Sequence, residues 1–474
     1  MSEVAQWYQG KNIFITGGTG FVGKSLVEKL LRDCPEIGHI YVMIRSKKGV
    51  SFDQRKLDYT NHVVFSCLKE NQSHVFDKLR FIEGDLCAPD LGISDVDRKI
   101  VTETVSVIFH SAADVRFDQP LIDAYNSNVK GTESLLKFAT QFKHIDAFVL
   151  VSTTFSQPND IGKLEERHYP STIEPELLKR FVDNIDPDIL HILAPKLLGR
   201  YPDTYGFTKS ISEQLAYDYR DKFPMAIARP AIIIMAWKEP HIGYTEGIHS
   251  INGWCLASGR GVLRSMCCRE SYPCNLVPND IVVNGIIVLA YECGKQNQNR
   301  YELVTVQPNF FRTPYNYALW FPGGSFKTNR LHHFICVVFF QLLPAILVDT
   351  LLVICRRPPI LMKVQRKIAA SCQTLEYYML NLFEFKAEIY NATIGRLNEI
   401  DKQIFYDRSR MITLEYFRGA AVGARVYLVK EKLEDIPKAR KTFRRLFYLD
   451  VATKTLITCW IIQKVFNYFE LSIC

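Results

Sequence analysis

Residues 13–23 read Ile-Phe-Ile-Thr-Gly-Gly-Thr-Gly-Phe-Val-Gly. A short apolar run (Ile13, Phe14, Ile15) gives way to glycines at 17, 18, 20 and 23. Val22, Leu26, Val27, Leu30 and Leu31 then recur at helical spacing. This pattern predicts a buried strand, a tight turn and a helix. Glycine lets a backbone turn sharply and approach another group closely. The G-x-x-G-x-x-G spacing of Gly17, Gly20 and Gly23 fits a loop that seats a pyrophosphate on a helix N-terminus, where free N–H groups and the dipole favour negative charge. Its position between a strand and a helix raises the motif above a turn that is merely glycine-rich.

The same alternation continues. Candidate strands are Ile13–Thr16, Ile40–Ile44, Leu79–Glu83, Val105–His110 and Ala147–Ser152, with helical stretches between them. Alternating strands and helices imply a parallel, doubly wound α/β sheet of the Rossmann type, with helices on both faces. Ala226–Met235 reads as a further strand. The 474 residues exceed one small core, and 47% hydrophobic with 23% charged residues is a globular composition. The thirteen cysteines contain no C-x-x-C pair, which points to free thiols in a reducing compartment. Cys255, Cys267, Cys268 and Cys274 are close together but match no common zinc spacing, so no metal is expected. The net charge of +8 is modest, and no nucleic-acid partner is expected.

Beyond about residue 330 the character changes to a mainly helical, membrane-associated region. The expected division is residues 1–330 for the Rossmann-type domain with its ligand-binding segments, and 331–474 for a helical C-terminal domain. Phe334–Ile354 is apolar apart from Gln341, Pro344 and Asp349. Its length could span a bilayer, and it suits either a membrane-inserted or a buried helix. Thr455–Ile473 is a second apolar stretch with Lys464 in its middle. Lys438, Arg440, Lys441, Arg444 and Arg445 precede it and would face the cytosol, unless they belong to a solvated helix face. The first twelve residues do not resemble a secretory leader.

The second strand ends Val42-Met43-Ile44-Arg45-Ser46-Lys47-Lys48. An NAD site usually carries an acid there for the ribose hydroxyls. Here Arg45, with Lys47 or Lys48, can meet a 2′-phosphate, so NADPH is the expected cofactor. Asp85 is placed either to approach the adenine or to cap a helix.

Tyr205-Gly206-Phe207-Thr208-Lys209 is a Y-x-x-x-K, and Tyr291 to Lys295 is a second. Tyr205 opens a helical segment and follows a strand ending in Ser152-Thr153-Thr154, whereas Tyr291 ends an apolar helix. Spacing of i, i+4 puts Tyr205 and Lys209 on one helix face. Hydride delivery to a carbonyl leaves an oxyanion that needs a proton. A tyrosine whose pKa a neighbouring ammonium lowers can give it. Thr153 or Ser152 would hydrogen-bond the carbonyl oxygen.

Together these residues resemble the alcohol-forming fatty acyl-CoA reductases, a branch of the extended short-chain dehydrogenase/reductases. The resemblance rests on Thr16–Lys24, Val42–Lys48, Gly84-Asp85-Leu86, His110–Phe117 (HSAADVRF), Asn128–Thr132 (NVKGT), Val151–Thr154, Pro195–Leu198, Tyr205–Lys209, Arg229-Pro230 and Gly259–Arg264. Phe334–Phe417 is similar to the family's helical C-terminal region. The resemblance implies reduction of a long-chain or very-long-chain acyl-CoA to the primary alcohol with two NADPH, through a thiohemiacetal and an aldehyde. It implies Tyr205 as proton donor, Lys209 as its partner and Thr153 as the carbonyl-binding hydroxyl. Asn128 supports Lys209 through water in that reading, or is a polar residue of a helix interior. Thr16, Gly17, Gly18, Thr19, Gly20, Phe21, Gly23, Arg45, Lys48, Asp85, Leu86, Ala112 and Lys209 would hold the cofactor. The implied location is an intracellular membrane, endoplasmic reticulum or peroxisome, with the catalytic domain in the cytosol. Asn252-Gly253-Trp254 and Phe310–Pro314 depart from the family pattern, in the substrate-facing half. Two other readings are an extended reductase acting on sugar nucleotides or sterols, and a non-catalytic NADPH-binding membrane scaffold. The retained Tyr205 and Lys209 speak against the second.

Overall fold

The computed structural model describes residues 1–474 except 48, 159–161, 249, 270, 273–274, 296–300, 307–323, 407–413 and 472–474. Its centre is a seven-stranded sheet. The first six strands are β1 (Asn12–Thr16), β2 (Ile40–Ile44), β3 (Leu79–Glu83), β4 (Val105–His110), β5 (Ala147–Val151) and β6 (Met225–Pro230). The spatial order is β3, β2, β1, β4, β5, β6 and then Tyr301–Val306, with every neighbouring pair parallel. All residues of β2 and β5 are buried, as expected of short apolar strands covered by helices on both faces. Register is tight at the centre, where Thr16 pairs with His110 at the carboxyl ends of β1 and β4. The strand order reverses between those two strands, the place where such sheets bind ligands.

One face carries helix Asn279–Gly294, buried along its whole length against β5, β6 and helix Phe21–Asp33. On the other, Phe14, Ile108, Phe148 and Ile227 join Leu135, Leu136, Phe207 and Ile211 in one core. The expected strand Ala226–Met235 is divided in two. Met225–Pro230 stays in the large sheet, while Ile232–Ile234 pairs with Leu276–Pro278 in a separate one. A continuous apolar run does not say which sheet buries it, and the chain changes sheets at Ala231.

The chain forms two compact units, each discontinuous in sequence. The sheet-bearing unit comprises Met1–Tyr244, Pro273–Phe311 and Leu382–Thr413, and the helical unit takes the rest. In the first, the Asp401 carboxylate accepts from Ser2 Oγ and from the N–H of Glu3 (3.0 Å). It thereby caps the amino-terminal helix Glu3–Trp7. Lys29 Nζ donates to the Ile404 carbonyl at 2.9 Å.

In the helical unit, Arg330–Ile354 is a helix of 25 residues with a π-turn at Val338–Leu342. Among the described residues it is the one helix long and apolar enough to cross a membrane. Its polar interruptions have structural partners. Gln341 Oε1 accepts from the N–H groups of Arg264 (2.7 Å) and Ser265 (3.1 Å). Asp349 accepts from Ile360, Leu361 and Met362, capping helix Leu361–Leu380. Gln341, Ala345 and Asp349 recur every four residues and form the buried face. Phe334, Leu347 and Leu351 are more than 60% exposed, so this is not the buried helix that its sequence also allowed.

Candidate active site

The glycine loop is packed too tightly for side chains. Gly17 has φ +72°, and a Cβ on it would lie 2.5 Å from the Ala112 nitrogen. On Gly18 it would meet Val42 Cγ1 at 2.5 Å, and on Gly23 the Gly17 carbonyl at 2.3 Å. Ala112 is therefore in main-chain contact with the loop. Gly20 caps helix Phe21–Asp33, and the Thr19 carbonyl accepts from Lys24 Nζ at 2.9 Å. Phe21 packs on Tyr244, with ring centres 5.5 Å apart. A bare-backbone cradle at the N-terminus of a 13-residue helix, beside the point where the strand order reverses, fits a dinucleotide pyrophosphate.

The other expected cofactor residues divide. Arg45 is exposed at the end of β2 and near enough to Asp114 to help hold that carboxyl below its usual range, after the larger effect of the Arg116 hydrogen bond. Lys48 lies outside the described residues, as do Cys274 and Phe310–Pro314. The Asp85 carboxylate accepts from the N–H of Cys87 at 3.0 Å, so it caps a turn. Leu86 is buried against Gly131, on the core side.

Helix Thr204–Asp218 presents Tyr205 and Lys209 from successive turns; Asp203 caps it by accepting from Gly206 N at 2.8 Å. The Thr153 hydroxyl is close enough to the Tyr205 phenol to pull its pKa down, and Phe117 packs edge-on against the Tyr205 ring at 5.2 Å. Burial pushes the phenol well above its ordinary pKa, partly offset by Thr153. This corrects the expectation that Lys209 lowers it. Lys209 is 2% exposed, its Nζ donates to the Val151 carbonyl at 2.7 Å, and burial lowers its own pKa to about 8 against the opposing pull of Glu213.

Ser152 and Thr153 part company. Successive residues of an extended chain point to opposite sides. Thr153 faces the phenol, and the Ser152 hydroxyl donates to Glu213. Asn128 lies in the π-turn Tyr125–Lys130. Its amide is held by both main-chain groups of Asp114 (2.8 and 3.2 Å) and by the Thr208 hydroxyl (3.0 Å), so it fixes the loop after β4 to the helix of Tyr205. Tyr291 sits elsewhere. It packs near Trp7, and its phenol donates to Glu3. The following turn lies against Asp146, just before β5 begins, at the amino ends of the strands.

Sequence comparison now adds to this geometry. The chain matches the NAD-binding family described as male sterility protein over residues 15–286, and a second male sterility protein region over 340–431. It is 30% identical to fatty acyl-CoA reductase 1 of Xenopus laevis, over 100% of this chain and 97% of that one. The chain belongs to the fatty acyl-CoA reductase family. A fatty acyl-CoA reductase of Drosophila melanogaster is likewise 30% identical, over 99% of this chain and 94% of its own. Among solved structures, the terminal R domain of the myxalamid PKS-NRPS pathway has the same fold. Its TM-score is 0.56 at 14% identity, with 90% of this chain and 92% of that one covered. The reductase fold and the family make the protein a nicotinamide-dependent oxidoreductase.

Two residues of this fatty acyl-CoA reductase had no assigned role in the sequence reading. Glu213, one turn beyond Lys209, is fully buried. It pairs with Arg229, whose Nε lies 3.0 Å from its carboxylate and whose Nη2 binds the second oxygen. The repeat of four from Tyr205 through Lys209 was the signal for it. His110 is also buried, and burial lowers its pKa to about 3, so it is neutral. Thr132 Oγ1 donates to the Asn128 carbonyl at 2.6 Å, so its oxygen accepts from His110 Nε2 at 2.9 Å. His110 Nδ1 then accepts from Thr16 Oγ1 at 2.7 Å. The chain Thr16–His110–Thr132–Asn128 thus joins the end of the glycine-loop strand to the turn that holds the helix of Tyr205.

Proposed function

We propose that this protein reduces long-chain fatty acyl-CoA to the primary fatty alcohol with NADPH, releasing CoA, and that Tyr205 is the proton donor. The observation that carries the reading is Tyr205 one helical turn from a buried Lys209 that donates to the Val151 carbonyl, in a chain of the fatty acyl-CoA reductase family. A bound nicotinamide supplies hydride. Reduction requires an acid that starts protonated, and the burial that raises the Tyr205 phenol keeps it so. Thr153 and the phenol offer two hydroxyls to the oxygen that gains charge. Tyr205 then passes its proton to that oxygen. Lys209, held by the Val151 carbonyl, keeps positive charge one helical turn from Tyr205. The first reduction leaves a thiohemiacetal, whose collapse expels the CoA thiolate. The aldehyde so formed takes a second hydride, from a second NADPH, and a proton from the re-protonated Tyr205, giving the primary alcohol.

The phosphate-bearing cofactor is favoured by Arg45, exposed at the end of β2 where an NAD site would place an acid. The exposed apolar face of Arg330–Ile354 and the exposed Lys438, Arg440, Lys441, Arg444 and Arg445 favour an intracellular membrane, endoplasmic reticulum or peroxisome, with the reductase unit in the cytosol. The deciding experiment incubates membranes carrying the protein with NADPH and acyl-CoAs of graded length, with Tyr205→Phe as control. Fatty alcohol from the wild type alone is expected. Near-normal turnover by Tyr205→Phe would remove Tyr205 from the role, and absence of alcohol from every acyl-CoA would refute the reaction.

A further inference from the structure

We infer that Cys67 is a modification site: a thiol that His241 activates for exchange with a small disulfide, leaving a mixed disulfide beside the glycine-loop helix. Both residues belong to the sheet-bearing unit, and both are half-buried, which leaves them open to a soluble reagent.

His241 is oriented as a base. Its Nε2 lies 3.0 Å from the Val63 carbonyl oxygen and 3.0 Å from Ser66 Oγ. A carbonyl only accepts, so Nε2 carries a hydrogen. In the neutral ring Nδ1 is then the acceptor, and it lies 3.8 Å from Cys67 Sγ. A nucleophile, a base and a group that fixes the base are the parts of an activated thiol. The backbone of His241 is fixed too. Its carbonyl accepts from the Tyr244 N–H at 3.0 Å, and the Ala236 N–H closes the loop by donating to the Tyr244 carbonyl at 2.8 Å. Cys87 shows what the pair adds. It is the more exposed of the two cysteines, yet its thiol donates to the Asn126 carbonyl at 3.5 Å, which cannot take its proton. Partial burial and the Asp85 charge push that thiol up.

The exchange balances with the disulfide as its only co-reactant. His241 Nδ1 takes the thiol proton, and the Cys67 sulfur attacks one sulfur of the disulfide. The new S–S bond forms as the old one breaks, and the departing thiolate takes the proton from the imidazole. Cys67 is oxidised to the mixed disulfide, and the departing half is reduced to its thiol. In a reducing compartment such bonds are usually transient and serve catalysis or sensing.

The added group stands against the loop that carries Tyr244. The Tyr244 ring is buried, 5.5 Å from Phe21 and edge-on to His62 at 6.3 Å. Phe21 opens the helix whose N-terminus is the glycine loop. A bulky group between Cys67 and His241 pushes Tyr244 off Phe21 and weakens cofactor binding, a consequence that rests on the cofactor lying on that loop.

The test treats the full-length protein in detergent with glutathione disulfide and quantifies the modified peptides over time. A positioned base adds about 10²–10⁴-fold to a proton transfer, so Cys67 should react at least about tenfold faster than Cys87. His241→Gln should bring the two rates together. Cys87 is the internal standard, and faster reaction there would expose a variant that has partly unfolded. Equal rates in the wild type, or a ratio that folded His241→Gln leaves unchanged, overturn the inference. NADPH titration of the modified protein reads the consequence. Losing an aromatic pair changes an equilibrium constant by about two- to tenfold, so affinity should fall by that much and return with dithiothreitol. Cys67→Ser, treated in the same way, should show no fall. An affinity that modification of Cys67 leaves unchanged overturns the link to the glycine loop. If the untreated wild type binds no NADPH, the cofactor reading fails, and the ratio of the two cysteine rates alone decides whether Cys67 is the site.

Discussion

Glu213→Gln tests how the buried charges beside the active site are balanced. The Glu213 carboxylate is wholly buried and accepts from Arg229 Nε, Arg229 Nη2 and the Ser152 hydroxyl. Arg229 is only 4% exposed, and its Nη1 also donates to the Arg167 carbonyl at 3.2 Å and lies 3.5 Å from the Glu165 carbonyl. Glutamine keeps the shape and removes the charge, which leaves a buried guanidinium without its counter-ion. Breaking one side of a buried pair costs about 3–5 kcal/mol. At about 2 °C per kcal/mol for a large unit, the melting temperature should fall by roughly 6–10 °C. Glu213 also raises the pKa of Lys209, so the variant moves that ammonium's titration below about pH 8. Thermal unfolding of the detergent-solubilised full chain, with and without NADPH, reads the first effect, and NADPH binding against pH reads the second. A melting temperature within 2 °C of wild type would refute the argument that the pair is dry and coupled.

Four further outcomes follow from the same geometry. His110 has a pKa of about 3 when folded against an ordinary 6.5, so below pH 6.5 the unfolded chain takes up a proton that the folded chain refuses. Stability from this group is present above pH 6.5 and falls by about 2 kcal/mol at pH 5; His110→Asn should flatten that limb of the unfolding curve, and a limb that persists would assign it to other groups. Lys209 loses its proton near pH 8, so NADPH affinity should weaken as pH rises from 7 to 9.5, while Lys209→Met binds more weakly but without this slope. Gly18→Ala puts a Cβ 2.5 Å from Val42 Cγ1 and should reduce NADPH affinity at least tenfold; Val42→Ala in the same chain should restore much of it, and no rescue would locate the fault elsewhere. Arg45→Ala should narrow the preference for NADPH over NADH, measured as the ratio of dissociation constants, and an unchanged ratio would move the 2′-phosphate contact to another residue.

The strands were legible because a parallel sheet buries each strand on both faces. Runs such as Ile40–Ile44 and Ala147–Val151 must then be apolar throughout. The glycine loop was legible because its steric demand is local: Gly17, Gly18 and Gly23 are constrained by neighbours that any strand–turn–helix of this spacing supplies. Three features were not legible, and all depend on distant partners. Adjacent hydroxyls at Ser152 and Thr153 are equivalent in a sequence, and only the packing of helix Thr204–Asp218 sends one to Glu213 and the other to Tyr205. The pKa of Tyr205 is set by burial, which residue spacing does not report. The role of His110 depends on Thr16 and Thr132, from two other elements.

Because Asp401 caps the first helix and the Ile404 carbonyl holds Lys29, the beginning of the chain is finished by residues made near its end. At about 5–20 residues per second, a ribosome needs roughly 20–80 s to supply them. Until then the amino-terminal helix and the glycine-loop helix lack these contacts, whatever the sheet has already formed. Arg330–Ile354, with its exposed apolar face, is synthesised before that closure. That helix therefore emerges while the sheet-bearing unit is still open, and a fragment cut at residue 330 would leave its own first helix without the Asp401 cap.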